Sequence, residues 1–193
     1  MRHVEPPVVL SDGRVTIRPY CAADVDRHHA AVCASVDAVA PWLDWCHPDY
    51  TRAESQSWIA SRPAAWAQQA AYSFAIVDAQ KGAFWGGCGL NGIDHGHQLA
   101  RLGYWVRTDR TRSGVATRAG RLVTRFGFET LGLHRIEILV LPSNTASCRV
   151  AEKLGAIREG LCRHRIVLRG APRDAVLYAL LPSDLTRDTL RRS

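Results

Sequence analysis

The segment SGVATRAGRLVTRFGFETLG, residues 113–132, constrains the fold of this chain more than any other. Val115, Ala119, Leu122 and Phe126 recur at steps of four, three and four, which lays one apolar stripe along a helix and leaves Arg118, Arg121 and Arg125 off it. Gly132 stands where a left-handed residue closes a helix. Gly114 stands at the other end, where a first turn leaves backbone N–H groups without acceptors. Those donors and the positive helix end suit an anion, and a residue with no side chain lets a phosphate approach the backbone. Relief of crowding at an ordinary helix start is the plainer reading of the same glycine.

Such a stripe needs a core to face. At 193 residues the chain suits one ordinary domain, expected over 1–193 with its core at about 13–182. Apolar residues make up 47% and charged residues 22%, a balance that excludes disorder over most of the length. The net charge of +7 attracts acidic small molecules, phosphorylated cofactors or nucleic acid without choosing among them. Cys21, Cys33, Cys46, Cys88, Cys148 and Cys162 form no CxxC pair, so neither a zinc site nor a disulfide framework is signalled, and no metal is expected. The opening MRHVEPPVVL lacks the pattern of a leader and no run is apolar enough to span a bilayer, so a cytoplasmic protein without a membrane partner is expected.

Alternating Val15 and Ile17 predict a strand over 13–20, followed by a helix from Ala22 to about Val39 and a packed loop at PWLDW, 41–45. Thr51 and Glu54 are spaced as a capping box for a helix over 51–69, in which Pro63 predicts a kink or break. The runs 71–78 and 83–94 predict a hairpin, 99–107 a third strand, and 134–141 a buried strand after the long helix. A second helix over 144–156 puts Ser147, Val150, Ala151 and Leu154 on one face, and strands near 157–168 and 174–181 flank the turn RGAPRD. Hairpins interrupted by helical crossovers make a mixed α/β sheet.

Two motifs in this order and spacing, GYWVRTDRTRSGVATRA (103–119) and PSNTASCRVAEKLGAIREG (142–160), carry a resemblance that runs from VTIRPY to VLYALL. The chain resembles the GNAT N-acetyltransferases, and within them the RimJ/RimL-like group that acetylates protein N-terminal amines. The resemblance implies an α/β GNAT fold: a mixed, mostly antiparallel sheet of about six to seven strands flanked by helices, with splayed parallel strands forming an acyl-CoA cleft. It also implies acetyl-CoA as the cofactor, with the backbone of Trp105 and Val106 on the pantetheine arm and amides from Arg112, Ser113, Gly114, Val115, Ala116 and Thr117 on the pyrophosphate. The family usually has Gln or Arg where this chain has Thr111, a departure that removes one side chain while Gly114 and Ala116 match. In relatives, a residue placed as Asn144 contacts the cofactor arm and one placed as Ser147 lies near the thioester sulfur, where a hydroxyl is able to protonate the leaving thiolate. A homodimer is a further arrangement that the family implies.

Attack on a thioester needs a neutral amine, so some group must accept a proton. RimL-like proteins often carry a glutamate where this chain has Arg101, and a second acidic position falls near Ile166, so no expected base is in place. Asp94, His95, His97 and Glu137 are substitutes by location alone. Plainer readings stand beside several roles: Asn144 as a helix N-cap, Ser147 as a packed hydroxyl bonded to the preceding turn, His95 and His97 as turn residues, and Arg125 with Glu129 as an exposed pair. Trp42, Trp45, Trp58 and Trp66 are either core or the walls of an acceptor pocket. The expected activity is acetyl transfer to a primary amine, foremost a protein N-terminus. Aminoglycoside or polyamine acetylation, and acyl-CoA binding without turnover, are the alternatives. A nucleic-acid partner is disfavoured because no recognised nucleic-acid signature accompanies the charge.

Overall fold

The computed structural model describes residues 8–185; the opening residues 1–7, on which the leader reading partly rests, and residues 186–193 lie outside the described residues. Strands β1 (Leu10–Ser11), β2 (Val15–Pro19), β3 (Tyr72–Asp78), β4 (Phe84–Asp94), β5 (Leu99–Val106), β6 (Arg135–Val140), β7 (Ile157–Leu168) and β8 (Ala171–Leu180) form one sheet in the order β1-β2-β3-β4-β5-β6-β8-β7. Every neighbouring pair is antiparallel except β5 with β6. The sequence predicts about six to seven strands, and the extra one is the two-residue β1, too short to leave a periodic signal.

The parallel pair follows from the connection between its strands. Helix α4 (Val115–Arg125) carries the chain across the sheet and continues into a wider turn, Phe126–Thr130, that buries Phe126 and Phe128. Its apolar stripe lies on a core containing Trp66, Tyr72, Phe74 and Phe126, whose rings meet edge-on or tilted at 4.9 to 5.9 Å. Helix α5 (Thr145–Lys153) packs beside α4 where Gly120 faces Leu154, and a Cβ added at Gly120 would come within 3.0 Å of Leu154 Cδ1. The other sheet face is covered by α1 (Val25–Cys33), the short α2 (Val36–Val39) and α3 (Arg52–Ala67), over a second cluster that includes Tyr20, Val25, Ile59 and Phe84.

Two expectations change. The helix predicted over Ala22–Val39 divides at Ser35, which is 1% exposed and whose Oγ accepts a hydrogen bond from the Thr108 N–H at 3.1 Å. A continuous helix would aim that hydroxyl elsewhere, so a tertiary bond interrupts it. Helix α3 is not broken at Pro63 as predicted: it starts on the capping box of Thr51 and Glu54 and runs through the exposed proline. A lost donor on a solvent-facing turn leaves a carbonyl that water can satisfy.

The start of α1 is tied to the end of β2 by a fork: Arg18 donates twice to Asp24, at 2.7 Å each, and Asp24 also accepts from the Cys21 N–H at 3.0 Å. Asp24 is 1% exposed. Burial raises its pKa, but the Arg18 guanidinium and the Cys21 amide outweigh that and hold it below the ordinary 3.8. Asp24→Ala is expected to cost about 3 kcal/mol by leaving Arg18 without its partner, read from the midpoint of urea unfolding. Because the folded carboxyl titrates low, its stabilisation is complete above its ordinary pKa and disappears as pH falls through the folded value. Stability of Asp24→Asn plotted against pH should therefore show a flatter acid limb than that of the wild type.

Candidate active site

The parallel pairing of β5 with β6 covers only Leu99 with Arg135, Ala100 with Ile136 and Arg101 with Glu137. Beyond those rows β5 stays with β4 as far as Val106, and β6 stays with β8 as far as Val140. The strands therefore part, and the β5 edge over residues 102–106, which includes Trp105 and Val106, faces a cleft instead of a strand.

At the end of β5 the chain turns through Arg112, with φ 58°, and Gly114, with φ 80°, before α4 begins. Among the described residues, no protein atom accepts from the backbone N–H groups of Arg112, Ser113, Gly114, Val115, Ala116 or Thr117. Ser113 Oγ donates to the Arg110 carbonyl, the first turn of α4 holds no acidic side chain, and a Cβ at Gly114 would meet nothing within 4 Å. Val115 and Thr117 point their side chains inward, 2% and 8% exposed, so only their amides can serve a ligand. Six unpaired donors at a positive helix end form a seat for an anion.

Asn144 is the N-cap of α5, its Oδ1 accepting from the Ser147 N–H at 3.1 Å, so the plainer reading of that residue holds. Ser147 does not bond back to the preceding turn: its Oγ lies 3.0 Å from the Tyr104 hydroxyl, which also sits 3.2 Å from the Ser147 carbonyl. With the phenol O–H donated to that carbonyl, the serine O–H donates to the phenol oxygen. Tyr104 was not legible as a site residue, since one tyrosine in a strand carries no spacing signal. Burial pushes its pKa up to about 12, against the opposing hydrogen bond with Ser147, and keeps it protonated.

Next to this oxygen pair lies a cavity of about 750 Å³ between the sheet and the α1–α3 layer, lined by residues of β4 and β5, by His28, by Ser57 and Trp58 of α3, and by Leu43, Trp45 and Tyr50 of the preceding loop. Gly87 makes its floor possible, because a Cβ there would collide with the Tyr20 hydroxyl and lie 2.8 Å from Trp105 Nε1. The four tryptophans divide: Trp45 and Trp58 line the cavity, Trp66 is core, and Trp42 is half-buried outside both. His28 is 2% exposed and stacks on Trp58 with centroids 5.3 Å apart. Desolvation among rings lowers its pKa to about 4, so it is neutral at pH 7.

None of the substitute bases named from the sequence lines this cavity. Asp94 and His97 pair with each other at 3.1 Å in the β4–β5 turn, His95 is exposed nearby, and Glu137 is held by Arg135 at 3.0 Å. Arg101 has a buried Nε without a protein partner among the described residues. The basic stripe of α4 is occupied too: Arg118 meets Asp12 at 2.7 Å, Arg121 donates to the Lys153 carbonyl at 2.8 Å, and Arg125 pairs with Glu129. Among the described residues no helix is long and apolar enough to cross a membrane, and no three His, Cys, Asp or Glu side chains gather as metal ligands would.

The family model described as an acetyltransferase (GNAT) domain matches residues 14–157. The "Probable N-acetyltransferase YjcK" of Bacillus subtilis is 37% identical over 114 residues, 58% of this chain and 63% of its own length. The spermidine N(1)-acetyltransferase of Escherichia coli K12 is 30% identical over 84 residues, 44% of this chain and 45% of that one. The chain thus spans between about half and three-fifths of the curated relatives it matches. The solved structure of Mycobacterium smegmatis RimJ, in complex with CoA-disulfide, superposes with a TM-score of 0.81 at 28% identity, covering 94% of this chain and 88% of that one.

Burial raises the pKa of all five tyrosines, Tyr20, Tyr50, Tyr72, Tyr104 and Tyr178. Ultraviolet titration of the folded protein should show less than half of its phenols ionised at pH 10, where the unfolded chain reaches half. Stability should fall as pH rises above 10, because only the unfolded chain loses those protons there.

Proposed function

The chain belongs to the GNAT acetyltransferase family, and from that premise we propose that it transfers an acetyl group from acetyl-CoA to a primary amine, the α-amine of a protein N-terminus being the acceptor it suits best. Residues 13–182 would then be one catalytic domain. The observation that carries the reading is the parted β5 edge running into the unpaired amides of residues 112–117: a polar strand edge for an amide-bearing arm, ending at a seat for phosphates.

The residues present fit the cofactor. Its pyrophosphate would take the backbone N–H groups from Arg112 to Thr117, and its amide-bearing arm would lie along Trp105 and Val106. Bound there, acetyl-CoA supplies an activated acyl carbon with a thiolate as leaving group. Ser147, hydrogen-bonded to Tyr104, is placed to hold or give a proton at Oγ, and Asn144 sets the start of the helix that presents it. Amine and acyl group would meet where the cavity borders the cleft, so positioning contributes most of the acceleration.

The carboxylates of the cavity wall favour a protein N-terminus over a polyamine. Asp44 accepts from the Arg169 N–H at 2.6 Å, and Glu54 is held by Thr51 and by His47, at 2.8 Å. Both carboxylates are already hydrogen-bonded within the protein, and the rest of the wall is mainly aromatic and glycine, whereas a polycation needs several negative charges along its length. The test is thiol release from acetyl-CoA against peptides with free α-amines, polyamines and aminoglycosides. Transfer to peptides with little to spermidine supports the reading, and the reverse preference replaces it with the polyamine alternative.

Gly114→Trp should weaken acetyl-CoA binding more than about 100-fold in calorimetric titration, because the side chain covers the amides and its backbone disfavours φ 80°. Ser147→Ala and Tyr104→Phe should each lower kcat about tenfold and leave that affinity unchanged, the modest loss reflecting how readily a thiolate leaves.

A further inference from the structure

We propose that Nε2 of His28 takes up the proton that the acceptor amine gives up on acetylation, a role that rests on the acetyl-transfer reading above. Both ring nitrogens of His28 are accounted for. Nδ1 lies 2.9 Å from Ser55 Oγ, and Ser55 Oγ in turn donates to the Tyr50 hydroxyl at 3.4 Å. With the serine proton spent on Tyr50, Nδ1 carries the hydrogen and donates it to Ser55, leaving the lone pair on Nε2. Nε2 has no protein partner among the described residues, on a side chain that lines the cavity. The Tyr20 hydroxyl, buried at the same cavity, has no partner among the described residues and is a second point at which a polar acceptor group would be met.

The surroundings suit a lone pair that must stay available. Rings of Tyr20, Trp45, Tyr50, Trp58, Phe84 and Trp105 stand 5.3 to 6.5 Å from the imidazole, centroid to centroid. Desolvation there outweighs the attraction of Asp24, which is already forked to Arg18, and His29 adds a small repulsion. From α3, Glu54 is paired with His47 and Arg62 stacks on Trp58 at 4.6 Å. At pH 7 the imidazole is neutral, so the Nε2 lone pair is free to accept an N–H of the acceptor amine.

When bound, acetyl-CoA supplies the acyl carbon at which a C–N bond forms as the C–S bond breaks, so the amine nitrogen loses one proton and the sulfur gains one. His28 Nε2 holds the first, its positive charge shared through Nδ1–H with Ser55. The Ser147–Tyr104 oxygen pair gives the second. Water in the cavity returns the proton from His28 to that pair, and both groups end as they began.

The test begins with the wild-type full chain and needs no acceptor. Nitrogen-15 spectra of its imidazoles, with His28 assigned by its loss in His28→Gln or His28→Asn, should show Nδ1 protonated and Nε2 bare at pH 7, unchanged down to about pH 5. A hydrogen on Nε2 overturns the proposal. The second arm measures acetyl transfer to a peptide with a free α-amine. His28→Gln, which keeps an acceptor atom near Nε2 without basicity, should retain acetyl-CoA affinity within about twofold and lose about 100-fold in kcat. Ser55→Ala, which frees the ring to exchange tautomers, should lose about tenfold in kcat with KM for the peptide nearly constant. A kcat for His28→Gln within about threefold of wild type overturns the proton role alone. Absence of transfer to any amine by the wild type overturns the acetyl-transfer reading as well.

Discussion

The site depends on one failure of pairing. β5 and β6 share three rows of parallel ladder and then follow different partners, β5 with β4 and β6 with β8. A continued ladder would satisfy the β5 edge with β6 and leave no polar groups for a ligand arm. Because the strands part, that edge must find acceptors and donors elsewhere, and the same opening admits Tyr104 to its contact with Ser147 on α5. Helix α4, the crossover that makes the pair parallel, begins at the end of that edge with its amides unpaired. One topological event thus produces the strand edge, the anion seat and the oxygen pair.

The acceptor side rests on desolvation. Aromatic rings from α3, β4, β5, the loop before α3 and Tyr20 just after β2 enclose a buried histidine of α1, and Gly87 on β4 keeps a side chain off the floor so that Tyr20 and Trp105 can lie over it. The low dielectric that keeps the Tyr104 phenol protonated also keeps the His28 imidazole neutral. Charge is held at the rim of the layer: Asp24 is buried but forked to Arg18, and Glu54 serves as both capping residue and partner of His47.

Local signals in the sequence were accurate where the physics is local. The capping box of α3, the stripe of α4, the N-cap of α5 and the glycines at both ends of the long helix depend on residues within a turn or two, and each stands where its spacing predicts. Errors fell where a distant atom intervened, as at Ser35, which leaves its helix to bond the Thr108 amide. The substitutes named for the missing glutamate show the same limit: Asp94 and His97 are near the motifs in sequence but pair with each other in a turn and do not line the cavity.

The sequence by itself determined the mixed sheet, the crossover helix, the glycine start of that helix and the family that these imply, because periodicity and backbone permissiveness are properties of short segments. Only the tertiary structure decided what surrounds each polar atom. Tyr104 meets Ser147 across 43 positions of sequence, and His28 meets Ser55 across 27. Protonation and reactivity are set by burial and by partners brought together through folding, and no spacing along the chain records them.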